Sequence, residues 1–321
     1  MKMKKIVIAE SHALNPGDLS WDSFKELGDV VVYDRTTKDE LEERIKDAEY
    51  IFVNKLSISE KILDKCPKLK FIGVLATGFN NVDTKACALR NIVVCNVPSY
   101  GTDAVAQHVF ALLLEICNHV FEHSQSVFSG QWASSPDFCY WNHDIIDLSC
   151  KTLGIIGLGA IGKAVSRIAL AFNMNVIYYS LHKHPDFESD KCLEVSLDEL
   201  YEKSDIITLH CPLTVETKEM INNDALFKMK PSVILINTSR GGLVAEEDLK
   251  EALNDNKIFY AAADVVSEEP IKINNPLLSA KNIFLTPHIA WASKESRMRL
   301  MKIAKENLKA FIDGNPINVV N

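Results

Sequence analysis

A short apolar run, Lys151-Thr152-Leu153-Gly154-Ile155-Ile156, leads directly into Gly157-x-Gly159-x-x-Gly162, with Ala160 and Ile161 before the last glycine. A helical pattern from Lys163 to Ala171 follows at once. Strand, glycine turn and helix in that order make a cradle for a dinucleotide pyrophosphate. Gly157 permits the tight turn, Gly159 lets backbone N–H groups approach the phosphates at the helix N-terminus, and Gly162 lets the helix pack closely on the sheet. The next strand, Asn175 to Tyr179, should end in an acid that accepts from the adenosine ribose of NAD. Ser180 stands there instead, followed by Leu181-His182-Lys183-His184. Losing the carboxylate removes the charge that would repel the 2'-phosphate of NADP, and Lys183 with two histidines supplies positive charge. A loop that only reaches solvent, with NAD held by other contacts, is the other reading, so both NAD and NADP stand as cofactors.

Three polar residues just beyond late strands can do chemistry beside such a cofactor. Arg240 follows Ile234-Leu235-Ile236-Asn237-Thr238-Ser239, Glu269 lies in Asp264-Val265-Val266-Ser267-Glu268-Glu269-Pro270, and His288 lies in Leu285-Thr286-Pro287-His288-Ile289. Ligands of doubly wound sheets bind outside the carboxyl ends of the strands, where these side chains should converge. Hydride transfer to a ketone needs a proton donor for the carbonyl oxygen, and histidine suits that at neutral pH. A carboxylate bonded to the imidazole would orient it and favour its charged form. Arginine would grip a substrate carboxylate in two places. Each residue alone has a plainer reading: a surface ion pair for Arg240, a solvated loop acid for Glu269, a turn residue after Pro287 for His288.

Positioning these groups requires two sheets. Before the glycine turn, Ile6 to Glu10, Val30 to Tyr33, Tyr50 to Val53, Phe71 to Leu75 and Ile92 to Asn96 are β-rich runs, separated by helical patterns such as Lys38 to Ala48 and Glu60 to Lys65. That alternation predicts a parallel sheet of its own. A long apolar-faced helix then follows Thr102, through Val105, Val109, Phe110, Leu113 and Ile116. From Thr152 onward the runs Leu153 to Ile156, Val176 to Tyr179, Ile206 to Leu209, Val233 to Asn237, Phe259 to Ala263 and Ile283 to Thr286 number six strands, the count of a complete dinucleotide fold. The amphipathic segment Lys294 to Ile312 has no strand behind it and should pack back on the first domain, making that domain discontinuous. The expected fold is α/β, with two doubly wound parallel-sheet domains: a Rossmann cofactor domain over 102–291, inserted in a flavodoxin-like substrate domain over 1–101 and 292–321.

Composition agrees with a globular enzyme of two domains: 321 residues, 47% hydrophobic and 24% charged. The net charge of -8 is spread without a long run of either sign, so neither nucleic acid nor an anionic membrane surface is implied. The start, Met1 to Glu10, turns polar too soon for a signal sequence and reads as a first strand. Nothing approaches a spanning helix. The eight cysteines contain no C-x-x-C pair and read as reduced core residues of a cytoplasmic protein, with no metal site.

Taken with the glycine turn, these stretches resemble the D-isomer-specific 2-hydroxyacid dehydrogenase family over essentially the whole chain. The resemblance is carried by Val74 to Asp83, Thr102-Asp103-Ala104-Val105-Ala106-Gln107-His108, Gly157 to Gly162, His210-Cys211-Pro212-Leu213-Thr214, Asn237 to Gly241, Ala262 to Val265 with Glu268-Glu269-Pro270, and Thr286 to Ala290. It implies His288 as acid/base, Glu269 as its partner and Arg240 as substrate anchor. It also implies backbone amides around Ala76, Thr77 and Gly78 for the substrate carboxylate, and a homodimer. For the cofactor it implies Thr102, the loop from Gly157 through Gly159, Ala160 and Ile161 to Gly162, then Ser180, His210, Pro212, Thr217, Thr238, Asp264 and His288, with Asp264 meeting the nicotinamide carboxamide. Ala290 and Trp291 depart from the Gly-Ser or Gly-Gly of many relatives.

Within the family, His12 to Trp21, Ser135 to Trp141 and Pro316 to Asn321 are similar to the bacterial glycerate dehydrogenase (hydroxypyruvate reductase) branch, which acts on a small 2-oxo or 2-hydroxy acid. Reduction of glyoxylate or another 2-oxo acid is the alternative. Formate dehydrogenases lack the acid partner that Glu269 supplies, and long phosphoglycerate dehydrogenases carry a further regulatory domain. The aromatic stretch Phe138 to Trp141 reads either as packing or as a loop closing over a subunit's active site. Corepressor-like proteins that sense the cofactor without turning over a substrate keep the same three residues and are the reading from another class.

Overall fold

The computed structural model describes residues 4–321, and its backbone contacts divide the chain into two compact units, 1–101 with 292–321 and 102–291. In the first, β1 (Lys5–Ile8), β2 (Asp29–Val32), β3 (Tyr50–Val53), β4 (Phe71–Val74) and β5 (Val93–Cys95) form a parallel sheet in the order β2-β1-β3-β4-β5. This is the flavodoxin-like order. The crossovers carry α1 (Lys38–Ile45), α2 (Glu60–Leu63) and α3 (Thr84–Leu89). β3 and β4 are buried along their whole length, which is why they read as unbroken apolar runs, whereas β2 is an edge.

The inserted unit contains α4 (Thr102–Asn118), α5 (Val120–Phe128), β6 (Thr152–Ile156), α6 (Ala160–Ala171), β7 (Asn175–Tyr179), β8 (Cys192–Glu194), α7 (Leu197–Lys203), β9 (Ile206–Leu209), α8 (Asn223–Lys228), β10 (Ile234–Asn237), α9 (Glu246–Asn254), β11 (Tyr260–Ala263) and β12 (Ile283–Leu285). Its parallel sheet runs β12-β11-β10-β9-β6-β7-β8. Seven strands stand where six are expected. The extra one, β8, is only three residues long with one of them buried, too short for a periodic signal, yet Cys192 pairs with Val176 and closes the edge beside β7. It supplies the third strand of the dinucleotide order, so Ile206–Leu209 is the fourth strand and not the third.

The helix after Thr102 runs to Asn118, as its apolar pattern through Ile116 predicts. It breaks at His119, whose φ of 48° is left-handed, and α5 leaves at 53°. Among the described residues no single helix is long and apolar enough to cross a membrane. α10 (Lys294–Ile312) belongs to the first unit and lies along β4. Arg297, Leu300, Met301, Ala304, Asn307 and Leu308 make its buried stripe, and Phe311 meets Phe71 and Tyr50 at 5.2 and 5.9 Å between ring centres. Arg297 donates to both carboxylate oxygens of Asp18 at 2.7 Å, a bidentate pair that fixes the helix against the 14–18 turn. Five cysteines are buried, and burial pushes Cys66, Cys87 and Cys117 up to about 11 and Cys95 up to about 12; Cys139 and Cys150 are exposed, contrary to a uniformly core reading.

Candidate active site

Register explains why residues so far apart in sequence form one site. Tyr179, Ile156, Leu209, Asn237, Ala263 and Leu285 pair sideways across β7, β6, β9, β10, β11 and β12. Because every strand runs the same way, the next residue of each projects from one edge of the sheet: Ser180, Gly157, His210, Thr238, Asp264 and Thr286. Strands are about 4.8 Å apart, so this row spans roughly 24 Å, enough for an extended dinucleotide. The strand order reverses at β6, and the glycine turn sits there.

The three glycines differ in what they tolerate. Gly157 has φ +98°, and a Cβ there would lie 2.7 Å from the Cys211 nitrogen. At Gly162 a Cβ would collide with the Gly157 carbonyl oxygen. At Gly159 it would meet nothing within 4 Å, so no packing inside the protein excludes a side chain at this position. Gly159 is also the N-cap of α6 and offers no side-chain acceptor to the first-turn N–H groups. Open space over uncapped amides is what a phosphate requires. A second sign lies along the row, where the Thr238 hydroxyl is buried with no hydrogen-bond partner. The residues present therefore fit a dinucleotide.

Neighbouring loops are tied to this edge. Gly157 N donates to Tyr179 O at 2.8 Å and His210 N to Ile156 O at 2.8 Å. Ser239 Oγ donates to Cys211 O at 2.8 Å, and Thr217 Oγ1 to Pro212 O at 2.7 Å, which shapes the 210–217 turn. His210 Nε2 lies 2.8 Å from Thr208 Oγ1, and burial pushes its imidazole down to about 3, so it is neutral. Ser180 Oγ lies 3.4 Å from His184 Nε2, while Lys183 is exposed. Thr102 opens α4.

His288 and Glu269 are brought together directly, with Nδ1 2.7 Å from Oε2. The imidazole therefore presents Nε2 as its second nitrogen. His288 has φ 55°, a left-handed conformation that a non-glycine residue adopts at a cost. Buried Asp264 holds that turn: its carboxylate accepts from Thr286 Oγ1 at 2.6 Å, Ile289 N at 2.8 Å and Ala290 N at 2.8 Å. Since the Thr286 hydroxyl proton goes to Asp264, His108 Nε2 at 3.1 Å is the donor to Thr286 and ties α4 to the same turn.

Arg240 is joined to this assembly through its backbone. Asn237 Nδ2 donates to Arg240 O at 2.9 Å while its Oδ1 accepts from Ser239 N at 3.0 Å, and Arg240 Nη1 donates to Ser239 O at 2.7 Å. A Cβ on Gly241 would collide with the Val266 backbone, so the arginine turn packs against the loop that leads to Glu269. Glu246 pins that loop, accepting from Ser267 N at 2.6 Å, Ser267 Oγ at 2.7 Å and Asn275 Nδ2 at 2.9 Å. Asn237 and Glu246 were not singled out from the sequence. Asn237 carried a signal, an Asn ending a strand before a turn; Glu246, 21 residues from Ser267, carried none.

In the first unit, Ala76, Thr77 and Gly78 follow β4. Ala76 O accepts from Val97 N at 3.0 Å, Thr77 O from Asn96 Nδ2 at 2.7 Å, and Thr77 Oγ1 donates to Val97 O at 3.0 Å. Among the described residues this leaves the three backbone N–H groups as the turn's uncommitted donors. The Phe138 to Trp141 stretch is tied to its own chain by Tyr140 Oη, 2.6 Å from Ser126 Oγ of α5, and by Phe138 O, which accepts from Trp132 Nε1 at 3.0 Å, while Phe138 is 89% and Trp141 65% exposed.

The model of the D-isomer specific 2-hydroxyacid dehydrogenase, NAD binding domain, matches residues 110–290. A hydroxypyruvate reductase of Blautia hydrogenotrophica is 50% identical over 320 residues, 99% of each chain. A glycerate dehydrogenase of Methylorubrum extorquens is 40% identical over 320 residues, again 99% of each. Among solved structures, the D-lactate dehydrogenase of Aquifex aeolicus, complexed with NAD and lactic acid, matches with TM-score 0.83 at 29% identity, covering 99% of this chain and 100% of that one. A glycine turn at the switch point that fits a dinucleotide, a histidine–carboxylate pair on the same edge and likeness from end to end make one conclusion. The chain belongs to the D-isomer-specific 2-hydroxyacid dehydrogenase family, NAD(P)-dependent oxidoreductases acting on the CH–OH group of 2-hydroxy acids.

Proposed function

We propose that this enzyme interconverts hydroxypyruvate and D-glycerate. The observation that carries the reading is the 2.7 Å His288–Glu269 pair at the edge of the cofactor-type sheet, joined to full-length 50% identity with a hydroxypyruvate reductase. A bound nicotinamide would supply hydride to C2 of the 2-oxo acid. Gly157 to Gly162 and the first turn of α6 would hold its pyrophosphate, Ser180 its adenosine ribose, and Thr102, His210, Pro212, Thr217, Thr238 and Asp264 the remainder. The buried Asp264 carboxylate accepts three protein donors and so holds the 286–290 turn that would face the nicotinamide.

His288 donates the Nε2 proton to the carbonyl oxygen as the alcohol forms. Glu269, on Nδ1, holds the ring in place so that Nε2 faces the substrate. Arg240 presents a planar fork to the substrate carboxylate and polarises the neighbouring carbonyl. The free amides of Ala76, Thr77 and Gly78 make a small anion-binding turn suited to a carboxylate. Oligomerisation is read from α5 and the segment after it, where Phe121, Phe128, Phe138 and Trp141 are 66, 84, 89 and 65% exposed. So large an apolar surface is a place for a second copy, giving a homodimer. Eight free thiols suit a reducing cytoplasm.

Near-ultraviolet absorbance tests the reading, with NADH and NADPH each offered with hydroxypyruvate, glyoxylate and pyruvate. Hydroxypyruvate should give the highest kcat/KM, and His288→Ala should lower turnover by about 100-fold or more with NADH affinity retained. Higher kcat/KM with glyoxylate would move the substrate. Tight NADH binding without any turnover would make the protein a cofactor sensor.

A further inference from the structure

At the far end of α4, well away from the residues assigned to the reaction, three side chains from two segments converge. α4 is 17 residues long, so this end lies about 25 Å along the helix from Thr102. Glu122 Oε2 is 3.2 Å from His119 Nδ1 and 2.8 Å from His143 Nε2, and all three ligand atoms lie within 4.8 Å of one another. The two imidazoles stack with ring centres 4.4 Å apart at 23°. We propose that His119, Glu122 and His143 bind a divalent transition-metal ion of the zinc class, tying the α4–α5 elbow to the segment that follows α5.

Several features say the cluster is built. His119 sits at φ 48°, and it is this left-handed turn that brings its ring over Glu122, three residues on. The His119 side chain is only 12% exposed. A third histidine does the positioning. His123 Nε2 accepts from Asn142 N at 3.1 Å, so its proton is on Nδ1, which donates to His119 O at 2.9 Å. Both nitrogens are used, so His123 is no ligand; it holds residue 142 and thereby sets His143 beside Glu122.

The donor set names the metal. Two neutral imidazoles and one carboxylate are the ligands of zinc and its neighbours, whereas calcium and magnesium take oxygen sets. Ligand atoms at about 2.1 Å from a tetrahedral ion lie about 3.4 Å apart, so the 3.2 and 2.8 Å contacts open by about 0.2 and 0.6 Å, and the two imidazole nitrogens, within 4.8 Å of each other, settle at the same spacing. The fourth position is left to water. Without the ion, one carboxylate oxygen accepts from two imidazole N–H groups; with it, each neutral ring carries its proton on the other nitrogen and turns a lone pair to the metal. No residue of the cluster is assigned to the cofactor or the substrate, so the ion is structural.

The test uses untagged enzyme stripped with a chelator, dialysed and titrated calorimetrically with zinc chloride. One ion per chain should bind, raising the melting temperature, and cobalt should give visible d–d bands. His143→Ala and Glu122→Gln should each weaken zinc at least about tenfold and abolish the thermal shift, the loss that even outer partners of such sites cause. His119→Asn, which keeps the left-handed turn accessible, should do the same. Retained reductase activity in these variants shows that they are folded. Absence of saturable zinc binding in the native enzyme overturns the proposal, as does affinity unchanged within twofold in both His143→Ala and Glu122→Gln.

Discussion

Gly159 and Gly162 should answer to the same substitution in opposite ways. A methyl group at Gly159 meets no protein atom within 4 Å, and the backbone there, φ -75° and ψ -163°, is open to alanine. Its cost to folding is that of a poorer N-cap, about 1 kcal/mol or less, or roughly 2–4 °C in a unit of this size. At Gly162 the methyl runs into the Gly157 carbonyl, a backbone atom that cannot swing away. Overpacking of that kind costs about 1–3 kcal/mol and should lower the melting temperature by up to about 10 °C. For cofactor the order reverses. A carbon at Gly159 would keep a phosphate oxygen from the first-turn amides of α6, and each charge-assisted hydrogen bond lost is worth about 1.5–3 kcal/mol. NADH should therefore bind about ten- to a hundredfold more weakly to Gly159→Ala, measured by quenching of protein fluorescence, while calorimetry shows a near-native melt. If Gly159→Ala keeps NADH affinity within twofold, or melts as low as Gly162→Ala, the pyrophosphate does not lie over α6 and the cradle assignment fails.

Arg240→Lys retains the charge but loses the planar fork, so KM for the 2-oxo acid should rise at least tenfold with NADH affinity unchanged; an unaltered KM would remove Arg240 from the site. In Glu269→Gln the ring loses its anionic partner on Nδ1, and kcat for ketone reduction should fall by about tenfold or more with NADH affinity retained, an unchanged kcat refuting the pairing. Ser180→Asp should favour NADH over NADPH through both ribose acceptance and phosphate repulsion, read as the ratio of kcat/KM values; an unchanged ratio would place Ser180 away from the ribose. Acid stability should depend on His210: burial lowers its folded value to about 3 from the ordinary 6.5, so the unfolded chain binds the extra proton and stability is lost as pH falls through that window, by up to about 1.4 kcal/mol per pH unit. Thermal melts of His210→Asn between pH 7 and 4 should show a shallower acid limb, and an identical limb would mean the imidazole is solvated.

What the amino-acid order determined by itself is local. The glycine turn was legible because strand, φ-permissive turn and helix N-terminus are consecutive in the chain, and central strands were legible because burial on both faces demands unbroken apolar runs such as Tyr50–Val53 and Ile234–Asn237. Arg240, Glu269 and His288 were legible only as polar residue types beyond strand ends, the proposal for their chemistry resting on the 2.7 Å contact between the last two. Tertiary structure decided which groups hold those residues. Glu246 reaches Ser267 across 21 positions, and Asp264 reaches Ala290 across 26. Neither contact leaves a periodic trace, since hydrogen bonds between loops depend on parallel strands delivering their ends to one edge. β8 escaped because three residues cannot show a period, and the cysteine pattern pointed away from metal while His119, Glu122 and His143 gather only where a left-handed residue bends α4 into α5. Propensity acts over a few residues, and convergence of side chains from separate segments is set by the packing of the whole unit.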